Sequence, residues 1–248
     1  MSSVIREGYK FCQEIVVPCY QTDGNKQLRP AAFLDLAQEV AFWAAEGMGF
    51  GYDTLHIHHT AWALSRIHVH FLRIPSWRDR VKIYTWHKGP SGPFFLRDFI
   101  LQDADGAPLA VSTSSWVVMD ERTRRLVRPE EMAHLLSLDY AVDDAIVEPA
   151  PKLILPRDGQ PEDAGEHVVT YSDVDLLGHT NNARYLVWAM DCIPMDAALQ
   201  PMKNLFINFS KETRPGERVQ LLCLQDGDAW YVEGKVEGRS CFSVKMEF

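Results

Sequence analysis

The chain has no Cys-x-x-Cys pair and only five cysteines, Cys12, Cys19, Cys192, Cys223 and Cys241, an odd number scattered over 248 residues. Neither a disulfide framework nor a metal site is indicated by that spacing, and a reducing compartment, the cytoplasm, fits best. Basic residues are in deficit, 25 against 34 acidic ones, for a net charge of −9 at pH 7. A nucleic-acid partner is therefore not expected, because its footprint would be a net basic surface. No apolar run approaches the ~18 residues of a membrane span, and the opening MSSVIREGYK has no apolar signal core, so a chain neither exported nor embedded is expected. Ordinary amounts of hydrophobic (46%) and charged (24%) residues remain. They can support a buried core, in one large domain or two of about 120 residues.

An internal repeat favours two. Shifting the chain by 152 residues (175 − 23) lays Asp23 over Asp175, Phe33 over Tyr185 and Glu39 over Asp191 without a gap. In the first copy, Pro30 suits a first helical turn. Phe33, Leu36, Ala37, Val40, Ala41 and Ala44 fall at i, i+3, i+4, i+7, i+8 and i+11, the apolar stripe that predicts a helix ending near Gly47. A shift of 138 (205 − 67) then lays Ile67, Val69 and Phe71 over Leu205, Ile207 and Phe209, with period-2 alternation that reads as half-buried strands. The change of shift, 14 residues, places a longer connection in the first copy, where GMGFGYDTLHIHH sits.

Each copy continues in alternating segments: VKIYTW, FFLRDFILQD and APLAVSTSSWVVMD, then VQLLCLQD, AWYVEGKV and CFSVKMEF. DADG and QDGD read as hairpin turns between them. A long helix against an antiparallel meander, occurring twice, is an α+β arrangement able to form a pseudo-dimer. The Pro- and acid-rich stretch DDAIVEPAPKLILPRDGQPEDAGE reads as the linker. The expected division is residues 1–140, a linker over 141–165, and 166–248.

One stretch is chemically crowded. YSDVDLLGHTNNARYLVWAMD, residues 171–191, gathers Asp173, Asp175, His179, Asn181 and Asn182 ahead of an amphipathic helix. Capping alone explains an Asp or Asn there, but one cap does not need five polar residues. Unpaired N–H groups and the helix dipole also make such an entrance a place to stabilise developing negative charge. HIHH (His56, His58, His59) lacks a carboxylate or Cys at ligand spacing, so no metal is expected there. GMGFG follows a helix instead of a strand and fails the context of a dinucleotide loop.

Four separated motifs agree in order and spacing with a known family. WALSRIHVHFLRIPSWRDRVKIYTW, FFLRDFIL, SSWVVMDERTRRL and SDVDLLGHTNNARYLVWAMD resemble the acyl-acyl-carrier-protein thioesterases, bacterial members more than plant plastid ones. The likeness covers roughly residues 10 to 248. It implies two tandem hot-dog domains, each a curved antiparallel sheet around one long helix, packed as a pseudo-dimer. It further implies hydrolysis of a fatty acyl thioester of carrier protein, with the acyl-chain pocket in the first domain, catalysis in the second, and no cofactor or metal. The plant pattern Asp-x-Asn-x-His, two Asn and a later Glu-Cys falls on Asp175, His179, Asn181, Asn182 and Glu212. Leu177 stands where that pattern has Asn, and Thr213 where it has Cys. The Leu-Gly-His form resembles single-domain hot-dog acyl-CoA thioesterases, the alternative substrate class; a non-enzymatic acyl-thioester-binding module is the alternative of another kind.

The resemblance thus makes Asp175, His179 and Glu212 the catalytic candidates, with Asn181, Asn182 and Thr213 supporting. Asp175 and Glu212 are both able to activate water; the likeness gives Glu212 the base role and Asp175 the holding of His179, while a covalent acyl-carboxylate route stays open. Arg122, Arg124, Arg125 and Arg128 crowd seven residues, and Arg73, Arg78 and Arg80 crowd eight. Such runs are usually solvated faces, yet an acidic carrier protein approaching an acidic enzyme needs local positive ground. The first cluster is the expected docking surface, and a homodimer is compatible with the sequence.

Overall fold

The computed structural model describes residues 4–132, 141, 143–156 and 159–248. The first half runs β1 (Ile5–Glu7), β2 (Lys10–Val16), a 3-10 turn at Cys19–Gln21, α1 (Pro30–Gly47), α2 (Tyr52–Ile57), β3 (Thr60–Phe71), β4 (Arg80–Ser91), β5 (Phe94–Asp103), β6 (Pro108–Asp120), β7 (Leu126–Val127) and α3 (Pro129–Met132). The second runs β8 (Glu162–Val168), a 3-10 turn at Tyr171–Asp173, α4 (Asn182–Asp191), α5 (Met195–Ala198), β9 (Asn204–Phe209), β10 (Arg218–Asp226), β11 (Ala229–Val236) and β12 (Arg239–Glu247). Among the described residues no helix is long and apolar enough to cross a membrane.

All strands pair antiparallel in one sheet of order β1-β2-β4-β5-β6-β3-β9-β12-β11-β10-β8, with β7 beside β6. The order is symmetric about the β3–β9 seam: 2-4-5-6-3 on one side is repeated as 8-10-11-12-9 on the other. Ile67 pairs with Ile207 and His68 with Phe206 at that seam. Since 68 + 138 = 206, the pseudo-twofold axis passes between His68 and Phe206, whose rings stack at 4.2 Å.

The helix-facing side of the sheet carries Ile67, Val69, Val81, Ile83, Phe99 and Leu101 in the first half and Leu205, Ile207, Val219, Val232, Phe242 and Val244 in the second, all packed in a single core with α1 and α4. The 3-4 stripe of α1 is buried throughout, Phe33 completely. Burial of a side chain of that size stabilises by about 1.5–3 kcal/mol, so the stripe fixes which face of α1 meets the sheet. This is the tandem hot-dog pseudo-dimer that the resemblance implied.

Two sequence expectations need adjustment. Strand β8 begins at Glu162, inside the stretch expected as linker to 165, because EDAGEHV lies at the sheet's outer edge, mostly exposed, and shows no alternation of burial. The expected boundary at 140/141 adjoins residues 133–140, outside the described residues. GMGFGYDTLHIHH is not a plain loop either. It supplies the end of α1 and then α2, with Phe50 and Leu55 buried and His56 in the last turn of α2.

Candidate active site

The loop that enters α4 is built by its own polar groups. Asp175 Oδ1 accepts the Leu177 N–H at 2.9 Å, and the Asp175 N–H donates to the His179 carbonyl at 3.0 Å. Gly178 turns the chain at φ 76°, the left-handed region glycine enters freely. The loop is tied down from both sides: Asn181 N–H donates to the Asp173 carbonyl at 2.8 Å and Thr180 N–H to the Thr213 carbonyl at 3.0 Å.

Behind this loop lies a buried polar knot. Asp173 Oδ2 accepts from His167 Nε2 at 3.0 Å, the Thr170 N–H at 2.7 Å and the Thr170 hydroxyl at 3.0 Å, and Trp188 Nε1 donates to Oδ1 at 3.3 Å. Burial works to raise the Asp173 carboxyl, but the His167 and Thr170 hydrogen bonds outweigh it and hold the group below its ordinary value. A second knot is neutral. Thr213 Oγ1 lies 2.7 Å from Thr180 Oγ1 and 3.0 Å from Tyr185 Oη, and its N–H donates to that same phenol at 3.0 Å.

These knots sort the sequence candidates. Asn181 is the α4 N-cap, its side chain accepting the Ala183 N–H at 2.8 Å. Thr213 is fully buried and spent on Thr180 and Tyr185. Asn182, at the first helical position, has no hydrogen bond of main-chain N–H or side chain among the described residues and faces the cavity described below. Asp175 meets His179 through the backbone; its carboxylate serves the turn.

His179 and Glu212 do converge. His179 Nε2 is 3.4 Å from Glu212 Oε2, and Arg124 Nη2 donates to the same oxygen at 2.5 Å. Arg124 thus reaches from the β6–β7 turn of the first half into the second half's site. Arg124 has this contact at the site while its side chain stays half exposed, and Arg122, Arg125 and Arg128 of the expected docking cluster are exposed beside it in sequence. The other basic cluster is locally engaged: Arg73 pairs with Asp103 at 2.7 Å, Arg80 with Glu14 at 3.6 Å, and Arg78 lies 4.0 Å over Trp77.

A cavity of about 810 Å³ opens on this group, within the range of small-molecule sites. Asp175, His179, Asn182, Tyr185 and Glu212 line it from the second half. The first half supplies Phe42, Trp43, Ala45, Phe50, Leu55, Trp62, Phe95 and Trp116. Much of that wall comes from the last turns of α1 and from α2, the segment without a counterpart in the second half, where the helix has 10 residues instead of 18. Sequence alone places Tyr185 on the second helix as the counterpart of Phe33. Its signal was the Phe33 at the equivalent place: a hydroxyl added to an apolar helix face needs a partner.

In the HIHH stretch, His56 Nδ1 lies 3.7 Å from Glu121, and among the described residues no three His, Cys, Asp or Glu side chains cluster to hold a metal.

Comparison with known proteins gives the geometry a family. The model of the acyl-ACP thioesterase N-terminal domain matches residues 8–135, and that of its C-terminal domain residues 159–241. Oleoyl-acyl carrier protein thioesterase 2 of Arabidopsis thaliana is 26% identical over 242 residues, 88% of this chain and 64% of that protein. The oleoyl-acyl carrier protein thioesterase of Coriandrum sativum is 25% identical over 249 residues, 92% and 66% of the two. The chain therefore spans less than two thirds of the length of these chloroplastic relatives. Among solved structures, an acyl-ACP thioesterase from Bacteroides thetaiotaomicron superposes with TM-score 0.80 at 22% identity, covering 97% and 98% of the two chains. The 12:0-ACP thioesterase from Umbellularia californica gives 0.80 at 22% over 98% of each. On both halves, in one order and over nearly the whole fold, the chain belongs to the acyl-ACP thioesterase family.

Proposed function

We propose that the protein hydrolyses fatty acyl thioesters of acyl-carrier protein to free fatty acid and carrier protein, by water that Glu212 activates. The observation that carries this is the shared cavity: the His179–Glu212 pair lines a mostly apolar space to which the other half of the chain contributes much of the wall. Thioester hydrolysis needs a base, a site for the oxyanion and room for the acyl chain, and this cavity combines all three.

Glu212 Oε2 is held by Arg124 and approached by His179, which leaves Oε1 to receive a proton from water. The water oxygen bonds to the thioester carbon as the carbonyl electron pair moves onto oxygen. The N–H of Asn182, at the positive end of α4, is the available donor to that oxyanion. Collapse of the intermediate breaks the C–S bond, and the proton taken by Glu212 passes to the departing thiolate, with His179 in reach of the transfer. Asp175 is assigned to the loop, and Arg124 to positioning Glu212. Carrier protein is favoured over coenzyme A by the two acyl-ACP thioesterase domain models, and exposed Arg122, Arg125 and Arg128, which flank Arg124 in sequence, give an acidic carrier local positive ground in a chain of net charge −9, since charge complementarity steers encounter. The five free cysteines suit the cytoplasm.

Thiol release from matched acyl-carrier-protein and acyl-CoA panels tests the proposal. Faster turnover of the carrier-protein thioesters, abolished in Glu212→Gln, is expected; equal use of both carriers would move the assignment to acyl-CoA, and no release from either would end it.

A further inference from the structure

The cavity is not apolar throughout. Arg97, in the middle of β5, lines it although only 7% of the residue is exposed. Its guanidinium donates to Thr85 Oγ1 at 3.1 Å. Among the described residues the arginines in ion pairs are Arg73, Arg80, Arg124, Arg184 and Arg218, and Arg97 has no carboxylate within reach. The carboxylate next to it in sequence points the other way, as strand alternation requires. Asp98 is committed on the outer face to Lys88 at 3.3 Å and to the Ala145 N–H at 2.7 Å.

Burial alone pushes Arg97 down to about 10, which leaves it a cation at neutral pH. His87, also in the cavity wall, is pushed down to about 4 by burial and then by the Arg97 charge, so it is neutral and gives no compensation. A buried cation with no counter-charge costs several kcal/mol. Such a group is out of place in a pocket for plain hydrocarbon, but suits one whose occupant carries its own acceptor. Its place fits that role: β5 stands three strands from β9 in the sheet, roughly 14 Å at the usual spacing, and Glu212 lies beyond the end of β9, so the two groups line the cavity from separate parts of the fold.

We propose that Arg97 receives an oxygen function borne by the acyl chain well away from the thioester, so that the preferred substrates are oxygenated acyl groups, hydroxy- or carboxy-substituted, with that oxygen against the guanidinium. This rests on the thioesterase assignment and adds a substrate class to it.

The test is a series of acyl thioesters of graded chain length, each made unsubstituted, ω-hydroxylated and ω-carboxylated, assayed by thiol release on wild type, Arg97→Met and Arg97→Lys. Binding of the corresponding free acids to wild type is measured alongside by calorimetry. At the best chain length, kcat/KM should favour an oxygenated chain by at least about tenfold, the scale on which a buried polar group rejects an analogue lacking its partner. Arg97→Met should reverse the order, and Arg97→Lys should keep part of it. A hydroxy preference and a carboxy preference distinguish the two sources of the acceptor. If Arg97→Met does not fold, the wild-type order and the binding of the acids decide. Plain chains preferred at every length, with plain acids bound at least as tightly, would overturn the Arg97 assignment while leaving thioester hydrolysis standing. Selective binding of oxygenated acids without hydrolysis of any thioester would support it and count against the thioesterase reading instead.

Discussion

The two helix entrances have the same backbone and different side chains. In the first half the Asp23 N–H donates to the Gln27 carbonyl at 2.9 Å, as Asp175 does to His179, and Asp23 Oδ1 accepts the Asn25 N–H at 2.8 Å, as Asp175 does that of Leu177. Arg29 N–H donates to the Gln21 carbonyl where Asn181 donates to Asp173, and Leu28 N–H to the Pro75 carbonyl where Thr180 donates to Thr213. Even the left-handed residue matches, Lys26 at φ 62° against Gly178 at 76°. An aspartate that makes these two bonds in both copies is explained by the loop, Asp23 Oδ1 taking the Gln27 N–H besides, at 2.9 Å. What separates the halves is Gln27 against His179, Ile74 against Glu212, Gln21 against Asp173 and Phe33 against Tyr185.

The comparison is broken most directly at Glu212. Glu212→Gln should lower kcat by at least about a hundredfold, the low end of general-base contributions, with near-native circular dichroism; near-normal turnover would leave the second entrance no more catalytic than the first. Asp173→Asn should destabilise the protein by about 1–3 kcal/mol at pH 7, the range for a buried charged hydrogen bond. Because the folded-state carboxyl is held below its unfolded value, that stabilisation is present above about pH 4 and fades as pH falls through the folded value. Denaturant melts of the two proteins should therefore converge in acid, and a gap independent of pH would assign the effect to packing.

Smaller effects sharpen the contrast. Tyr185→Phe, which copies Phe33, leaves the buried Thr213 N–H unpaired; a loss of about 1–2 kcal/mol should appear in thermal melts, with kcat changed only severalfold. Smallest of all should be Asp175→Asn, since an amide oxygen can still take the Leu177 N–H. A kcat drop under about tenfold, well short of a general base, is expected there, and no drop in Asp23→Asn. A hundredfold difference between these two variants would return Asp175 to the chemistry.

Sequence revealed what has period or repetition. The α1 stripe and the six meander segments fall on observed elements because half-burial imposes 3.6 and 2 on the pattern. Strands β1 and β8 lie at the outer edges of the sheet, and the burial pattern of each carries little alternation. His179 and Glu212 were placed by resemblance and are adjacent in space. The Arg124–Glu212 contact was not legible, because it joins residues 88 apart on opposite halves, and a run of arginines reads equally well as a solvated face. Arg97 was hidden for the opposite reason: in FFLRDFIL, Arg97 and Asp98 look like a local ion pair, and only the pleat sends them to opposite faces.

The β3–β9 seam has a consequence for how the chain is made. Its paired residues are far apart in sequence, His70 and Asn204 by 134 positions (204 − 70) and Ile67 and Ile207 by 140 (207 − 67), so during synthesis β3 waits as a bare edge until the second half has emerged. An open edge of alternating apolar residues is a template for another chain's strand. Should the β9 of a neighbouring copy arrive first, its register and pseudo-symmetry would be the native ones, and the product would be an exchanged pair of chains in which each cavity is completed by the other molecule.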